Sequence, residues 1–299
     1  MTRSAALAVV QGFWIACLAA LEPATAQAQA DTTVWTASIG VNAVGGLDSD
    51  EPDASGTDAL GAVVALNVTT SPWVVGLGIA ASDRDLVLSE AVTVTDEHSF
   101  SVSGWLVRSF GATSVSLAVD YGEDGYEGEV SGTPFAQAPK VDSDTQFISV
   151  GTSVSHVFGT GTRIVPSLGV AWTQSETQTR LISEGLTDLD LGESRTDDGL
   201  SGTLGLDIGH DVTPWFILTG RVAGTIAENE AATSRSGLTF GRGLTGPTSS
   251  ASEESVAWAD VAVGAVFVFG ANTVSIDALA TAGQEADFVT AGLTLSRSF

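Results

Sequence analysis

The stretch TLGLDIGHDV, residues 203–212, alternates large apolar residues with small or polar ones. Successive side chains of a β-strand point to opposite faces of its sheet. Leu204, Leu206 and Ile208 therefore share one face, whereas Asp207 lies on the other face with glycines and a threonine. The pattern predicts a strand with one apolar face and one face of small, weakly polar residues.

The same alternation recurs in twelve segments, and none of them shows a helical period over a useful length. Each segment has about 11–16 residues, which is long for soluble strands and suitable for strands that cross a bilayer at a tilt. The segments cover approximately residues 33–45, 58–69, 72–82, 98–110, 112–122, 145–158, 162–175, 199–212, 215–227, 255–270, 272–283 and 287–299.

Short and long connections alternate between these segments. The short turns read TTSPW, FGA, FGTGT, VTPWF and FGAN and are rich in residues that favour turns. This alternation predicts an up-and-down antiparallel meander whose two ends differ. The long connections cover residues 46–57, 83–97, 123–144, 176–198 and 228–254, with a shorter connection at 284–286.

Charge is segregated along the chain, which carries 36 acidic and 11 basic residues for a net charge of −25. Nucleic acids are polyanions, so this charge excludes them as partners. The mean hydropathy is nevertheless positive, unlike that of a disordered acidic chain. Acidic residues concentrate in or at the edge of the long connections, and the six exceptions are Glu22, Asp31, Asp207, Asp211, Asp260 and Asp277.

These features together predict an all-β fold, a single antiparallel up-and-down transmembrane β-barrel. Twelve strands are expected, with ten or fourteen as the alternatives. The competing interpretation is a soluble β-sandwich with its apolar face inward. A sandwich would spread carboxylates over every solvent-facing strand, whereas here they concentrate at one end of the meander.

Residues 1–30 have the features of a cleaved secretory signal peptide. Arg3 provides a positive start, an apolar run follows, and Ala28-Gln29-Ala30 fits the A-x-A cleavage pattern. The run is too short and too interrupted for a transmembrane helix. Cys17 lies in this segment, so the mature chain of residues 31–299 would have no disulfide, thiol nucleophile or cysteine metal site.

Seven aromatic residues mark one level of the predicted barrel. Five lie beside short turns, and the other two lie in the first and last segments, which share that end when the strand number is even. Aromatic girdles at the membrane interface are typical of such barrels. Trp105, Trp172 and Trp258 fit either an outer girdle or the lumen. The predicted girdle consists of Trp35, Trp73, Phe110, Phe158, Trp215, Phe269 and Phe299.

The stretch AGLTLSRSF, residues 291–299, resembles the C-terminal signature that the barrel-assembly machinery reads in outer-membrane β-barrel proteins. Leu293, Leu295 and Phe299 match its alternating apolar positions, whereas Arg297 departs from it. The resemblance implies the outer membrane of a Gram-negative bacterium and the assembly machinery as a partner during biogenesis. The last strand is expected to close against the first, because closure removes free edges.

Six outer connections, five inner turns and 269 mature residues resemble the translocator β-domain of autotransporters, which is a twelve-stranded barrel. That family carries a passenger and a lumen-spanning helix before the barrel. Here the first segment begins within about three residues of the predicted cleavage site, so we expect neither. The resemblance implies a structural or surface protein with acidic extracellular loops. The alternative is a narrow, porin-like channel that prefers cations or small solutes.

Two enzymatic barrel classes are excluded by the spacing of their residues. The outer-membrane phospholipase needs a serine two residues from a histidine on one strand face, and none of His98, His156 and His210 has one. The omptin proteases need Asp-x-Asp facing His-Asp, but DRD at residues 83–85 and HD at residues 210–211 belong to opposite ends of the meander. We therefore predict no catalytic residue and no cofactor.

Four charged residues are predicted to face the lumen, namely Asp207, Arg221, Asp260 and Asp277. Asp207 and Arg221 flank the Thr213–Pro214 turn at similar distances, so we expect them to meet. One interpretation is a fixed ion pair that avoids a lone charge in a tight interior. The other is a sparse acidic lining that selects cations or cationic solutes.

The acidic stretches DSDEPD (48–53) and DYGEDGYEGE (120–129) contain ligand types that suit calcium. Neither has the spacing of an EF-hand loop, so we predict no specific metal site. Solvation and mutual repulsion of mobile loops are the expected role of this charge, with weak attraction of divalent cations. Nothing in the sequence indicates the oligomeric state.

Overall fold

The computed structural model describes residues 33–46, 58–85, 87–89, 92–130, 140–182, 191–239, 243–283 and 288–299. Within these ranges no helix has the length and apolar character needed to span a membrane. The predicted signal peptide, residues 1–30, and the DSDEPD stretch lie outside the described residues.

The described residues form β-strands joined by tight turns. Thirteen strands are present in this part of the chain: β1 (Val34–Gly46), β2 (Asp58–Thr70), β3 (Trp73–Asp85), β4 (Val87–Ser89), β5 (Val92–Phe110), β6 (Thr113–Val130), β7 (Lys140–His156), β8 (Thr162–Ile182), β9 (Leu191–Thr213), β10 (Phe216–Thr239), β11 (Gly243–Phe269), β12 (Asn272–Gly283) and β13 (Phe288–Ser298).

Twelve of these strands close into a ring in which every neighbour is antiparallel. β1 pairs with β13, with Thr36 opposite Ser298, and β3 pairs with β5, with Trp73 opposite Arg108. The short strand β4 pairs only with β5 and continues the line of β3. The predicted all-β, twelve-stranded up-and-down barrel is therefore confirmed.

The two faces of the wall follow the alternation of the sequence. On β9, Leu204 points outward and is 68% exposed, whereas Asp207 faces inward and is buried. On β1, Ile39 is outward and exposed, whereas Thr36 is inward and only 2% exposed. Large apolar side chains thus cover the outside, as a lipid-facing barrel requires, and most inward side chains are small or polar, with larger apolar exceptions such as Trp105 and Phe147.

Five short turns lie at one end of the barrel, which we call the turn end; the opposite end is the loop end. The turns occur where the sequence predicts them. Gly111 and Gly270 each begin a two-residue turn with φ of 66° and 64°. Residues with a side chain rarely adopt such angles, and hairpin turns often require them at the first central position.

Toward the loop end the strands continue much farther than the sequence analysis predicts. β10 and β11 remain paired as far as Thr239 opposite Gly243, in the region 228–254 that was expected to be a connection. β6 reaches Val130 and β7 begins at Lys140, so DYGEDGYEGE belongs to a strand and not to a loop. The connections at 83–97, 123–144 and 176–198 are shortened by strands in the same way.

The physical reason is that polar side chains do not interrupt a β-ladder. Beyond the apolar wall both faces of each strand carry polar residues, so the hydrophobic alternation that marks a strand disappears from the sequence. The backbone hydrogen bonds of the ladder continue regardless, since each strand still has a neighbour to pair with.

Aromatic side chains pack over glycines inside the barrel. The indole of Trp105 is 3% exposed, and a Cβ built on Gly76 would overlap it. The indole nitrogen Nε1 of Trp105 donates a hydrogen bond of 2.9 Å to Oδ1 of Asn67. Phe147 covers Gly122 in the same manner. The sequence fitted Trp105, Trp172 and Trp258 to either an outer girdle or the lumen. Trp105 and Trp258 lie on the inward face of their strands, and Trp172 is exposed on the outside.

Candidate functional site

An ion pair lies inside the barrel near the turn end. Asp207 on β9 and Arg221 on β10 lie opposite each other in the strand register. The guanidinium nitrogen Nη1 of Arg221 is 3.5 Å from the carboxylate oxygen Oδ1 of Asp207, and both side chains are about nine-tenths buried, with 10% and 11% exposure. Each charge therefore has an opposite charge nearby in a region where solvation is weak.

Two further inward carboxylates lie on the neighbouring strands β11 and β12. Oγ1 of Thr281 donates a hydrogen bond of 2.6 Å to Oδ1 of Asp260. Asp277 lies over Gly292, where an added Cβ would be 2.9 Å from Oδ2 of the carboxylate. The glycine therefore leaves the space that the carboxyl group of Asp277 occupies.

A second ion pair lies closer to the turns. Nη2 of Arg163 on β8 donates a hydrogen bond of 2.8 Å to Oδ1 of Asp211 on β9. Gly209 lies beside this arginine, and a Cβ added there would make an ordinary contact of 3.7 Å with Nε of Arg163. Among the described residues of this region, the inward charges are four aspartates and two arginines, so the turn end of the lumen has an acidic excess.

A second group of inward charges near the loop end escaped the sequence analysis. Asp120 on β6 is buried and Asp197 on β9 is partly buried, and Arg195 binds Asp197 with nitrogen–oxygen distances of 2.6 and 2.8 Å. Asp124 is buried on the same face of β6 as Asp120. Asp124 and Asp197 were expected in long connections, whereas Asp120 ends the predicted segment 112–122 and begins the acidic stretch DYGEDGYEGE. The sequence pattern that could have indicated the inward positions on β6 is the alternation of Asp120, Gly122 and Asp124 with larger outward residues.

Hydroxyl groups connect neighbouring strands around the inner wall. Each pair satisfies the hydrogen-bonding capacity of two polar side chains of the inner wall. The described inward pairs include Thr36–Ser298, Ser143–Thr179, Thr145–Thr177, Thr173–Ser149 and Thr203–Thr225, with oxygen–oxygen distances of 2.9–3.2 Å.

The outer wall carries an apolar band with a sharp limit toward the loop end. On β10 the outward side chains change from Ile226, 63% exposed, to Glu228 and Glu230. On β9 the change lies between Leu200 and Asp198. Since carboxylates are costly in lipid, the band is the part of the wall that can contact hydrocarbon.

At the turn end the band is bordered by the seven aromatic residues singled out in the sequence analysis. All seven side chains are exposed, which means that none of them is used to fill the barrel. They are Trp35, Trp73, Phe110, Phe158, Trp215, Phe269 and Phe299.

The last strand carries outward apolar side chains and closes the ring. Leu293, Leu295 and Phe299 are exposed on the outside of β13. The backbone of Phe299 exchanges two hydrogen bonds with that of Trp35, with nitrogen–oxygen distances of 2.7 and 3.3 Å. The residues that resemble the assembly signature therefore lie at the seam between the first and last strands.

The three histidines are distributed over both ends of the outer wall. His98 lies opposite Asp83 toward the loop end. His156 and His210 lie near the turn end, and their Nδ1 atoms each share a 2.8 Å hydrogen bond with a threonine hydroxyl of the next strand. Within the described ranges, no three His, Cys, Asp or Glu side chains converge as they would around a metal ion.

Comparison with known proteins identifies relatives of this barrel. The model of the autotransporter β-domain family matches residues 34–281. The translocator domain of the autotransporter NalP from Neisseria meningitidis superimposes with a TM-score of 0.68 at 12% sequence identity, covering 99% of this chain and 97% of that chain. The β-domain of the Bordetella autotransporter Brka has a TM-score of 0.57 at 11% identity, covering 89% and 99%. A search of the curated proteins finds no match.

Proposed function

Because this chain belongs to the autotransporter β-domain family, we propose that it serves as an outer-membrane scaffold that holds acidic β-hairpins at the cell surface. The hairpins are the parts of three strand pairs that lie beyond the apolar band, and we call them the three extensions. They comprise residues 123–130 with 140–146, 174–182 with 191–198, and 228–239 with 243–254.

The observation that carries this proposal is the length of the strands. β9, β10 and β11 have 23, 24 and 27 residues, whereas about 9–11 residues suffice to cross the hydrocarbon core at a tilt. The surplus lies on the side of the long connections, which face the exterior in outer-membrane barrels. Acidic side chains such as Asp198, Glu228 and Glu230 begin where the apolar band ends.

Cysteine labelling of intact cells tests this arrangement. In a Cys17→Ser background, Gln178→Cys adds a thiol to an exposed position of an extension, and Thr160→Cys adds one to an exposed turn at the turn end. We expect a membrane-impermeant maleimide to label Gln178→Cys directly and Thr160→Cys only after permeabilisation. Labelling of Thr160→Cys alone in intact cells would mean that the barrel has the opposite orientation.

A second function, passage of small cations, is supported by the acidic excess in the lumen. Asp260 and Asp277 carry negative charge toward the interior, while Arg221 already has Asp207 beside it. A lumen lined by one sign of charge favours ions of the opposite sign. In this second function, we propose that Asp207, Arg221, Asp260 and Asp277 line the passage and set its charge.

Conductance measured in planar bilayers with a salt gradient tests whether the lumen passes cations selectively. We expect the wild-type barrel to give a reversal potential that favours cations and Asp277→Asn to reduce that preference. Asp198→Asn, which removes the same charge from the outward face of an extension, serves as the matched control and should change little. A folded barrel that does not conduct, or an unchanged reversal potential for Asp277→Asn, would exclude a charge-selective passage through this site.

We propose no enzymatic activity for the barrel. His156 and His210 each share a hydrogen bond with one threonine hydroxyl on the outer wall, whereas a catalytic histidine pairs with a nucleophile and an orienting carboxylate. During biogenesis we propose that the barrel-assembly machinery reads the outward side of β13 at Leu293, Leu295 and Phe299. The seven turn-end aromatics are proposed to lie at the periplasmic interface of the membrane.

A further inference from the structure

Five of the arginines in the described wall fall into two groups according to the face on which they lie. Arg163, Arg195 and Arg221 face inward, and each has a carboxylate within 3.5 Å. Arg108 and Arg297 face outward, and within the described residues neither has a carboxylate partner. This is unexpected in a chain with 36 acidic and 11 basic residues, where a carboxylate is the commonest charged group available.

Arg108 is instead held between two aromatic rings. It lies opposite Trp73 in the β3–β5 register, and its guanidinium carbon Cζ is 4.8 Å from the centre of the indole. The ring of Phe110, two residues farther along β5, lies 4.7 Å from the same atom. Contacts of this kind orient a guanidinium and use its flat faces, so its N–H groups remain free to donate at the edge.

Arg297 repeats the arrangement on the last strand. Its Cζ atom is 5.3 Å from the ring centre of Phe299, and its strand pairs with β1 at Ala37. In the sequence this arginine departs from the apolar pattern of the assembly signature. The structure therefore gives the departure a physical context, a cation that stacks on an aromatic ring of the outer wall.

Both arginines lie at the level where the apolar band ends toward the turns. Phe110 and Phe299 are exposed beside them, and Trp73 borders the Ser71–Pro72 turn. Aromatic side chains favour the headgroup region of a bilayer. Short turns of outer-membrane barrels are periplasmic, so the lipids that reach these arginines are those of the periplasmic leaflet.

We propose that Arg108 and Arg297 are binding sites for the phosphate groups of anionic phospholipids in the periplasmic leaflet. Each site consists of a guanidinium that donates hydrogen bonds to the phosphate and of aromatic rings that contact the first carbons of the acyl chains. Guanidinium groups match phosphate geometry and bind it through paired N–H donors. The chain is otherwise strongly acidic and repels anionic lipids, so these two positions select them locally.

Native mass spectrometry of the refolded barrel tests the proposal. The protein is released from mixed micelles that contain equal amounts of dioleoylphosphatidylglycerol and dioleoylphosphatidylcholine, and the retained lipids are counted. We expect wild-type protein to retain phosphatidylglycerol in preference to phosphatidylcholine. The double variant Arg108→Gln/Arg297→Gln should bind it about tenfold more weakly, as expected for the loss of charge-assisted hydrogen bonds.

Arg180→Gln is the matched control. Arg180 is exposed on β8 in an extension, so its loss removes the same charge far from the proposed sites and should leave lipid retention unchanged. Phe110→Leu keeps an apolar side chain but removes one ring from Arg108, and it should weaken binding less than the loss of the guanidinium does.

Several results would overturn the proposal. One is equal retention of both lipids by wild-type protein, and another is retention by the double variant equal to that of wild type. A third is displacement of the lipid by millimolar inorganic phosphate, which would indicate a site for the free anion. Heat-modifiable mobility on gels verifies that each variant is folded.

A fluorescence measurement on wild-type protein needs no variant. Phosphatidylglycerol brominated near its headgroup should quench tryptophan fluorescence more strongly than the matching phosphatidylcholine.

Discussion

The indole of Trp105 occupies the space above Gly76 on the adjacent strand, and the two residues lie opposite each other in the β3–β5 register. The indole also donates its N–H group to Asn67. A glycine and an aromatic residue on neighbouring strands thus act as a unit, since the ring takes the place of the missing side chain and protects the backbone around it.

Gly76→Ala is expected to destabilise the barrel. A methyl group at residue 76 would overlap the ring of Trp105, which would have to move and lose its hydrogen bond to Asn67. The expected loss is about 1–3 kcal/mol in the free energy of unfolding, typical of overpacking. Denaturant titration of the refolded protein in lipid vesicles, followed by fluorescence, measures it.

Gly224→Ala is the control for this variant. Gly224 lies on the outward face of β10, and an added Cβ would meet nothing within 4 Å. Alanine restricts the unfolded chain more than glycine does, so this variant should be neutral or slightly stabilising. Equal destabilisation by both variants would contradict a specific contact between Trp105 and Gly76.

The Asp207–Arg221 ion pair is expected to show energetic coupling. Either Asp207→Asn or Arg221→Gln leaves a poorly solvated charge without this partner, so each should destabilise the barrel. The double variant should cost less than the sum, with a coupling energy of roughly 1–3 kcal/mol. A double-mutant cycle in the same unfolding assay gives this number, and strictly additive effects would show that the two groups do not interact.

Two arginine substitutions on β10, one inside the apolar band and one beyond its limit, are expected to differ in their effect on the free energy of unfolding. Val222→Arg puts a charge in the band, and such a change costs about 2–4 kcal/mol near the middle of a bilayer. Glu230→Arg lies beyond the band and should change the unfolding free energy by little. A comparable loss for both variants would mean that lipid contacts extend past Ile226.

Phe299→Ser is expected to reduce the amount of barrel that reaches the outer membrane of cells. The exposed ring contributes little to packing, so refolding in vitro should change much less than assembly in vivo. Phe269→Ser alters the same kind of residue at the same level, but away from β13, and should assemble like wild type. Quantification of heat-modifiable protein in isolated outer membranes distinguishes the two, and equal levels would argue against an assembly signal at Phe299.

Several features of the fold follow directly from local sequence. The placement of Leu204 outside and Asp207 inside requires only the two-residue period of a strand. The turns at Gly111 and Gly270 follow from residues that tolerate positive φ. The opposition of Asp207 and Arg221 was expected from their similar distances to the turn, but the exact pairing depends on a one-residue register shift between Thr213 and Asp211 that counting from the turn does not give.

What the sequence by itself determined is therefore the strand pattern, the turn positions and the division of the wall into an apolar and a polar face, since these depend on a few neighbouring residues. Only the tertiary structure decided where the strands end, that Asp120 and Asp197 face inward, and that Trp105 fills the space at Gly76. Backbone pairing is indifferent to whether a strand faces lipid or water, so its extent is set by the partner strand. Side-chain packing likewise depends on residues that the closed ring brings together from distant parts of the chain.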